Sequence, residues 1–154
     1  MNTSNTRENS MVEWKNINWR KVERMVFKLQ KRIYRASERG DVKTVRKLQK
    51  TLMKSWYAKL LAVRKVTQDN KGRKTAGIDG KKSYRPQQRL QLVNELSLSS
   101  KAKPTRRVWI AKPGKSEKRP LGMPTFTDRV IQNVVKNALE PCWEAQFEEL
   151  SYWF

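Results

Sequence analysis

Any compact shape open to this chain must keep 35 Lys and Arg side chains in water or against a polyanion, because only 14 Asp and Glu are present to pair with them. The resulting net charge of +21 opposes compaction through self-repulsion, so a polyanionic partner is the natural compensation. The charge is uneven, at +12 over residues 1–70, +12 over 71–120 and −3 over 121–154, which directs attention to the first two segments for a binding surface. Hydrophobic residues still make up 37% of the 154, with six Trp among them. That is enough for packed helices in a body the size of one domain and argues against wholesale disorder.

Several function classes drop out on residue types alone. A single cysteine, Cys142, excludes an internal disulfide, and is most simply a small buried side chain. The absence of histidine removes the usual zinc and general-base constellations, so no metal site and no cofactor are expected. No apolar run approaches the roughly 18 residues of a membrane span, and the polar start from Met1 to Ser10 lacks a signal-peptide core. The expectation is a soluble protein without membrane insertion. It would work in a reducing compartment: the cytoplasm, or an organelle matrix or stroma if organelle-encoded.

Residues 1–17 read as a flexible leader. From Asn18, an N-cap residue, Trp19, Val22, Val26, Leu29 and Ile33 recur at helical spacing until Gly40 supplies a stop. Asp41 then caps a second stripe of Val45, Leu48, Leu52, Trp56, Leu60 and Val63, which Asn70-Lys71-Gly72 ends. Residues 18–70 are therefore expected as an antiparallel helical hairpin, with Trp19 and Trp56 in its core. Away from the stripes, Arg24, Lys28, Lys31 and Arg35 line one face of the first helix. Lys43, Lys47, Lys50 and Lys54 line one face of the second.

Periodicity weakens around Gly72, Gly77 and Gly80, which reads as a loop with Asp79 as a turn residue, and a short helix follows from Gln87 to Leu98 after Pro86. Arg106 to Lys112 and Lys118 to Met123 both alternate, giving a β-hairpin across Pro113-Gly114. Thr125 and Asp128 form a capping box ahead of an apolar helix through Val130, Ile131, Val134, Val135, Ala138 and Leu139. Pro141 should break that helix and start a last one through Trp143, Ala145 and Phe147. The fold class is α+β: a basic helical hairpin over 18–70, then the loop, hairpin and C-terminal helices over 71–154, packed as one unit. A two-stranded sheet is marginal alone, and Val130 to Leu139 is the surface expected to support it. The chain closes on Tyr152, Trp153 and Phe154, three bulky residues that read either as a stump left by truncation or as a dock for a partner protein.

Three stretches together resemble the N-terminal, fingers region of group II intron reverse transcriptases, or maturases. One is the helical segment from Trp14 to Asn70, with Leu29-Gln30-Lys31-Arg32-Ile33-Tyr34-Arg35-Ala36 and Leu61-Ala62-Val63-Arg64-Lys65-Val66-Thr67. The second is the Gly-rich loop from Asn70 to Gly80. The third runs from Arg106 to Pro113 and from Lys118 to Thr125, and continues as Asp128-Arg129-Val130-Ile131-Gln132 and Ala138-Leu139-Glu140-Pro141. By this resemblance the Gly-rich loop lies against the template, and Lys112 and Arg119 match a lysine and an arginine that contact a nucleotide triphosphate. A compact ammonium and a forked guanidinium suit a polyphosphate on chemical grounds as well. Two departures stand out: Ala111 replaces a usual proline, and Ser116-Glu117 enlarges the hairpin tip. In that family a palm with metal-binding aspartates follows the point where this sequence ends, so the chain is expected to be truncated before the palm and to hold no catalytic residue.

The candidate nucleic-acid interface thus comprises the eight ridge residues, Lys71, Arg73, Lys74 and Gly77 in the loop, and Arg106 and Arg107 at the hairpin. The expected function is a non-catalytic RNA-binding module, RNA being preferred over DNA on the resemblance alone. The alternatives are a small basic structural subunit of a larger protein or ribonucleoprotein complex, docked through the apolar C-terminus, and the fingers half of a split reverse transcriptase.

Overall fold

The computed structural model describes residues 13–98 and 101–147. Helix α1 (Trp19–Glu38) starts where its cap directs: Asn18 Oδ1 accepts the Lys21 N–H at 3.1 Å. It ends with Gly40 at φ 69°, where the Gly40 N–H reaches Ser37 O and the Asp41 N–H reaches Ala36 O, each at 3.0 Å. This pair of bonds is a Schellman closure, and the left-handed backbone it needs suits glycine. Asp41 accepts the Thr44 N–H at 3.1 Å and opens helix α2 (Val42–Lys54) at once, so the two helices fold back on each other.

The second helix is not continuous to Asn70. Ser55 turns extended (φ −65°, ψ 130°) and divides α2 from α3 (Trp56–Arg64), after which the chain widens into a π-helical turn over Lys65–Asp69. The break resets the helical phase, so Trp56 lies at the surface, 42% exposed, and not in the core. Ala58, Leu60, Ala62 and Val63 are fully buried because α1, α4 and α5 pack around α3. A helix buried on several sides has no single apolar stripe from which its phase can be read. In the widened turn, the buried Thr67 hydroxyl donates to Val63 O at 2.6 Å, which satisfies it inside the core.

The packed body also begins earlier than Asn18. Trp14, in a 3₁₀ turn over Trp14–Asn16, is buried, and its Nε1 donates to Gln68 Oε1 at 3.1 Å. Its ring meets Trp19 edge-on at 4.9 Å, with the Arg89 guanidinium 5.6 Å from Trp14 and that of Arg64 4.7 Å from Trp19. An aromatic pair flanked by cations holds down a stretch expected as part of the leader. Helix α4 (Pro86–Glu95) begins on its proline as expected and ends before Leu96, which remains buried in extended backbone.

Helix α5 (Phe126–Phe147) runs straight through Pro141. Proline removes the N–H that would bond to the carbonyl four residues earlier, here Asn137. Gln30 Nε2 of α1 donates to that carbonyl at 3.0 Å, so the helix continues with its orphaned acceptor satisfied. One turn on, the Ser37 hydroxyl lies 3.4 Å from both Cys142 O and Sγ, with Cys142 half-buried against the core. At its other end the Asp128 N–H reaches Thr125 Oγ1 at 3.3 Å. The Asp128 carboxylate accepts from the Thr125 hydroxyl at 3.0 Å and the Lys103 N–H at 2.9 Å, a variant of the expected capping box.

Helix α5 belongs to both halves of the core. Phe126, Val130 and Val134 pack with Trp14, Leu60, Val63 and Val93, and Ala138 packs with Ile33, Leu48 and Leu52. Met53, Tyr57 and Leu61 touch both groups. Strands β1 (Arg106–Ala111) and β2 (Lys118–Met123) pair antiparallel, Ile110 opposite Arg119 and Ala111 opposite Lys118. The hairpin does not rest on α5 as expected: no residue of either strand is buried, and Trp109 and Leu121 are 56% and 42% exposed. Val130 and Val134 are already covered by helical neighbours, so that surface is taken. Among the described residues no helix is long and apolar enough to cross a membrane.

The account of Pro141 predicts a coupling. Gln30→Ala should lower stability by about 1–2 kcal/mol in urea unfolding, because it leaves the Asn137 carbonyl unpaired. In a Pro141→Ala background, where a backbone N–H is restored, the same substitution should cost at least about 0.5 kcal/mol less. Equal costs in the two backgrounds would rule the compensation out.

Candidate nucleic-acid interface

On α1 the buried positions Val22, Val26, Ile33 and Ala36 define the core side, and at 100° per residue Arg24, Lys28, Lys31 and Arg35 fall about 180° from it. On α2 the buried Val45, Leu48 and Leu52 stand in the same relation to Lys43, Lys47, Lys50 and Lys54. All eight cations are exposed, and among the described residues none takes part in an ion pair. The ion pairs found among the described residues lie elsewhere, at Arg64 with Glu23 and Asp69, and at Lys112 with Glu117. Two helices that bury one side each therefore display unneutralised cations on the other, and these stay mutually repelling unless a polyanion covers them.

The Gly-rich loop is held in place by a residue to which sequence reasoning gave no role. Arg129, in the first turn of α5, donates from Nη1 to Gly72 O at 3.2 Å, from Nη2 to Thr75 O at 2.7 Å and from Nε to Pro124 O at 3.0 Å. Its guanidinium also lies 4.5 Å from the Phe126 ring centre. Burial pulls the Arg129 pKa down from the ordinary arginine value, and Asp79 opposes that shift. A planar fork with five donors can bind three carbonyls from two segments at once, which an ammonium cannot do. The available signal was its position: Arg129 and Lys136 are the only cations after residue 120, and Arg129 sits between the core residues Phe126 and Val130.

Gly77 completes the seat. A Cβ there would lie 2.7 Å from Thr125 Cα and N and 2.8 Å from Pro124 O, so the loop backbone presses directly on the start of α5. Gly77 is buried and supports the loop from within, so it is not at the surface as a contact residue, whereas Lys71, Arg73 and Lys74, on a 3₁₀ turn, are exposed. The loop is closed by the Ser83 N–H on Arg73 O at 3.2 Å and by the Lys81 N–H on Asp79 Oδ1 at 3.1 Å, so Asp79 serves in a turn. Tyr84 packs 5.1 Å from Phe126, and burial raises its pKa above the ordinary phenol value.

Arg106 ties the hairpin to this loop, its Nε donating to Ala76 O at 3.0 Å. Arg107 is exposed beside Trp109. Lys112 N donates to Glu117 O at 3.1 Å, which places Lys112 opposite Glu117 and, through the pleat, on the same face as Arg119. The register thus brings Lys112 and Arg119 to one face, but the Lys112 ammonium is bound to the Glu117 carboxylate at 2.8 Å. The enlarged tip noted in the sequence supplies that carboxylate. Among the described residues no group of three His, Cys, Asp or Glu is placed to hold a metal ion. Tyr152, Trp153 and Phe154 lie outside the described residues.

If Arg129 seats the loop, Arg129→Lys should lower stability by about 2 kcal/mol despite keeping the charge. It should also speed tryptic cleavage at Lys71, Arg73 and Lys74. Lys71→Ala, at an exposed position, should change stability by less than about 0.5 kcal/mol. Equal effects of the two substitutions would refute the clamp.

Comparison with known proteins agrees with this architecture. The model for the N-terminal domain of reverse transcriptase matches residues 14–96. The chain is 32% identical over 151 residues to "Maturase-like protein 1" of Euglena gracilis, covering 92% of this chain and 31% of that protein. It is 38% identical over 96 residues to "Protein YkfC" of Escherichia coli K12, covering 58% and 25%. Over 88 residues it is 38% identical to "Group II intron-encoded protein LtrA" of Lactococcus lactis subsp. cremoris, covering 55% and 15%. The chain therefore spans between 15% and 31% of the length of these relatives. With the matched segment running from the buried Trp14 through α4, the chain belongs to the family defined by the N-terminal domain of reverse transcriptase.

Proposed function

We propose that this segment is an RNA-binding module, with the two basic ridges and the loop cations as its contact surface, and that it carries out no chemistry itself. The observation that supports this reading most is the set of eight exposed cations on the outer faces of α1 and α2, with no acidic partners among the described residues. Cations fixed on rigid helices release condensed counterions when they meet a phosphate backbone, which is the main source of sequence-independent affinity. Lys71, Arg73 and Lys74, held by the Arg129 clamp, extend that surface beyond the helical hairpin. RNA is preferred over DNA because one relative is named as a group II intron-encoded protein and another as maturase-like. A role without catalysis fits the Glu117 carboxylate that occupies the Lys112 ammonium.

Affinity for a structured RNA should fall linearly on a log–log plot against salt concentration. Replacing Lys28, Lys31, Lys47 and Lys50 with Gln should leave the melting temperature within a few degrees, since all four are exposed. The salt slope should become shallower by about 0.7–0.9 for each lysine that contacts a phosphate. An unchanged slope in the quadruple variant would contradict the assignment of the ridges. Stable retention of a protein partner after nuclease digestion, without bound RNA, would favour a structural subunit instead.

A further inference from the structure

Three tryptophans among the described residues are strongly exposed: Trp56, Trp109 and Trp143. Trp143 stacks on Phe147 at 5.8 Å, on a helix end that carries Glu140 and Glu144, an acidic setting for any phosphate. Trp56 makes an edge contact with Tyr57 at 5.8 Å. Of the three, Trp109 alone has a guanidinium near its ring, Arg107 at 6.0 Å from the centroid.

The hairpin register defines what surrounds Trp109. It stands opposite Pro120, with Arg107 opposite Gly122 and Ala111 opposite Lys118. One face of the hairpin therefore carries a single large aromatic ring, two cations, two small residues and a proline, and no acid. Lys112 and Arg119 are on the other face. Because Lys112 and Glu117 form a hydrogen-bonded pair, alternation makes Trp109 and Pro120 a non-hydrogen-bonded pair. The missing proline N–H then costs no ladder bond, and the two side chains sit at the closer of the two pair spacings. The indole is thus supported from across the sheet by a rigid ring, with the small side chain of Ala111 on one side of it and the Thr105 side chain filling the space over Gly122 on the other.

We propose that this face is a stacking platform for unpaired bases of single-stranded nucleic acid, with a base on Trp109 and its flanking phosphates on Arg107 and Lys118. The occupant follows from the chemistry: a flat apolar surface bordered by cations complements a base joined to phosphates. Aromatic rings interleaved with cations bind single strands with little regard to sequence, because every base has a π-face. The platform rests on the RNA-binding reading for its class of ligand, but it is a surface separate from the ridges. The ridges would hold the backbone of structured RNA and the hairpin would hold a strand leaving it.

The test compares the full chain with Trp109→Ala and Trp109→Phe, using two labelled probes: an oligouridylate of about ten nucleotides and a blunt RNA duplex of about 16 base pairs. Trp109→Ala should weaken oligouridylate binding about tenfold. Trp109→Phe should recover most of that loss. Duplex affinity should move by less than about twofold in either variant, because duplex recognition relies on backbone and shape. Oligouridylate should also quench the part of the tryptophan emission that the Phe variant lacks. Unchanged oligouridylate binding by Trp109→Ala, or equal loss of both probes, would overturn the platform. If the wild-type chain binds the duplex while Trp109→Ala has no effect, the platform alone fails. A wild-type chain that binds neither probe would sink the RNA-binding reading along with it.

Discussion

The packing of α1 on α5 is the contact on which the rest of this structure depends. Helix α5 contributes to both groups of core residues, so it joins the helical hairpin to α3 and α4. Its first turn holds Arg129, which seats the Gly-rich loop, and its later turns hold Pro141, where an isolated helix would bend or stop. The Gln30 side chain reconciles that proline with a continuous helix by taking the one carbonyl the proline orphans. Without it the Asn137 carbonyl would be left unpaired at the seam between α5 and α1.

Charge and packing are separated cleanly in this chain. Apolar residues gather on one side of α1 and α2 and on several sides of α3, while the cations of the first two helices stay outside. The few acids are placed locally: Asp41 caps a helix, Asp79 closes a turn, Asp128 braces Thr125 and Lys103 N, and Glu117 binds Lys112. Among the described residues none forms an ion pair with a ridge cation. A module built this way is stable through its core and leaves its excess charge available to a polyanion.

Much of the fold was legible because local rules acted alone. Asn18, Gly40, Asp41 and Pro86 marked helix ends through capping and backbone freedom, and alternation located both strands. The ridges followed from helical spacing. Errors arose where a distant partner overrode a local rule. Pro141 did not break its helix because Gln30, 107 residues from the Asn137 carbonyl that it binds, completed it. Trp14 was drawn from the expected leader into the core by Trp19, Gln68 and Arg89. Ser55 shifted the phase of one long expected helix, and Trp56 surfaced as a result. Arg129 was invisible as a clamp because its acceptors are carbonyls, which every residue carries and no residue type reveals.

Lysine footprinting tests the central claim most directly, that the outer faces of α1 and α2 form the RNA-binding surface. Amine acetylation rates would be measured by mass spectrometry with and without a structured RNA, at a salt concentration where binding is saturated. The account predicts slowed modification at Lys28, Lys31, Lys43, Lys47, Lys50 and Lys54, and little change at Lys136, which is exposed on the acidic C-terminal helix. Protection of Lys136 equal to that of the ridges, or no protection of the ridges while RNA is bound, would contradict it.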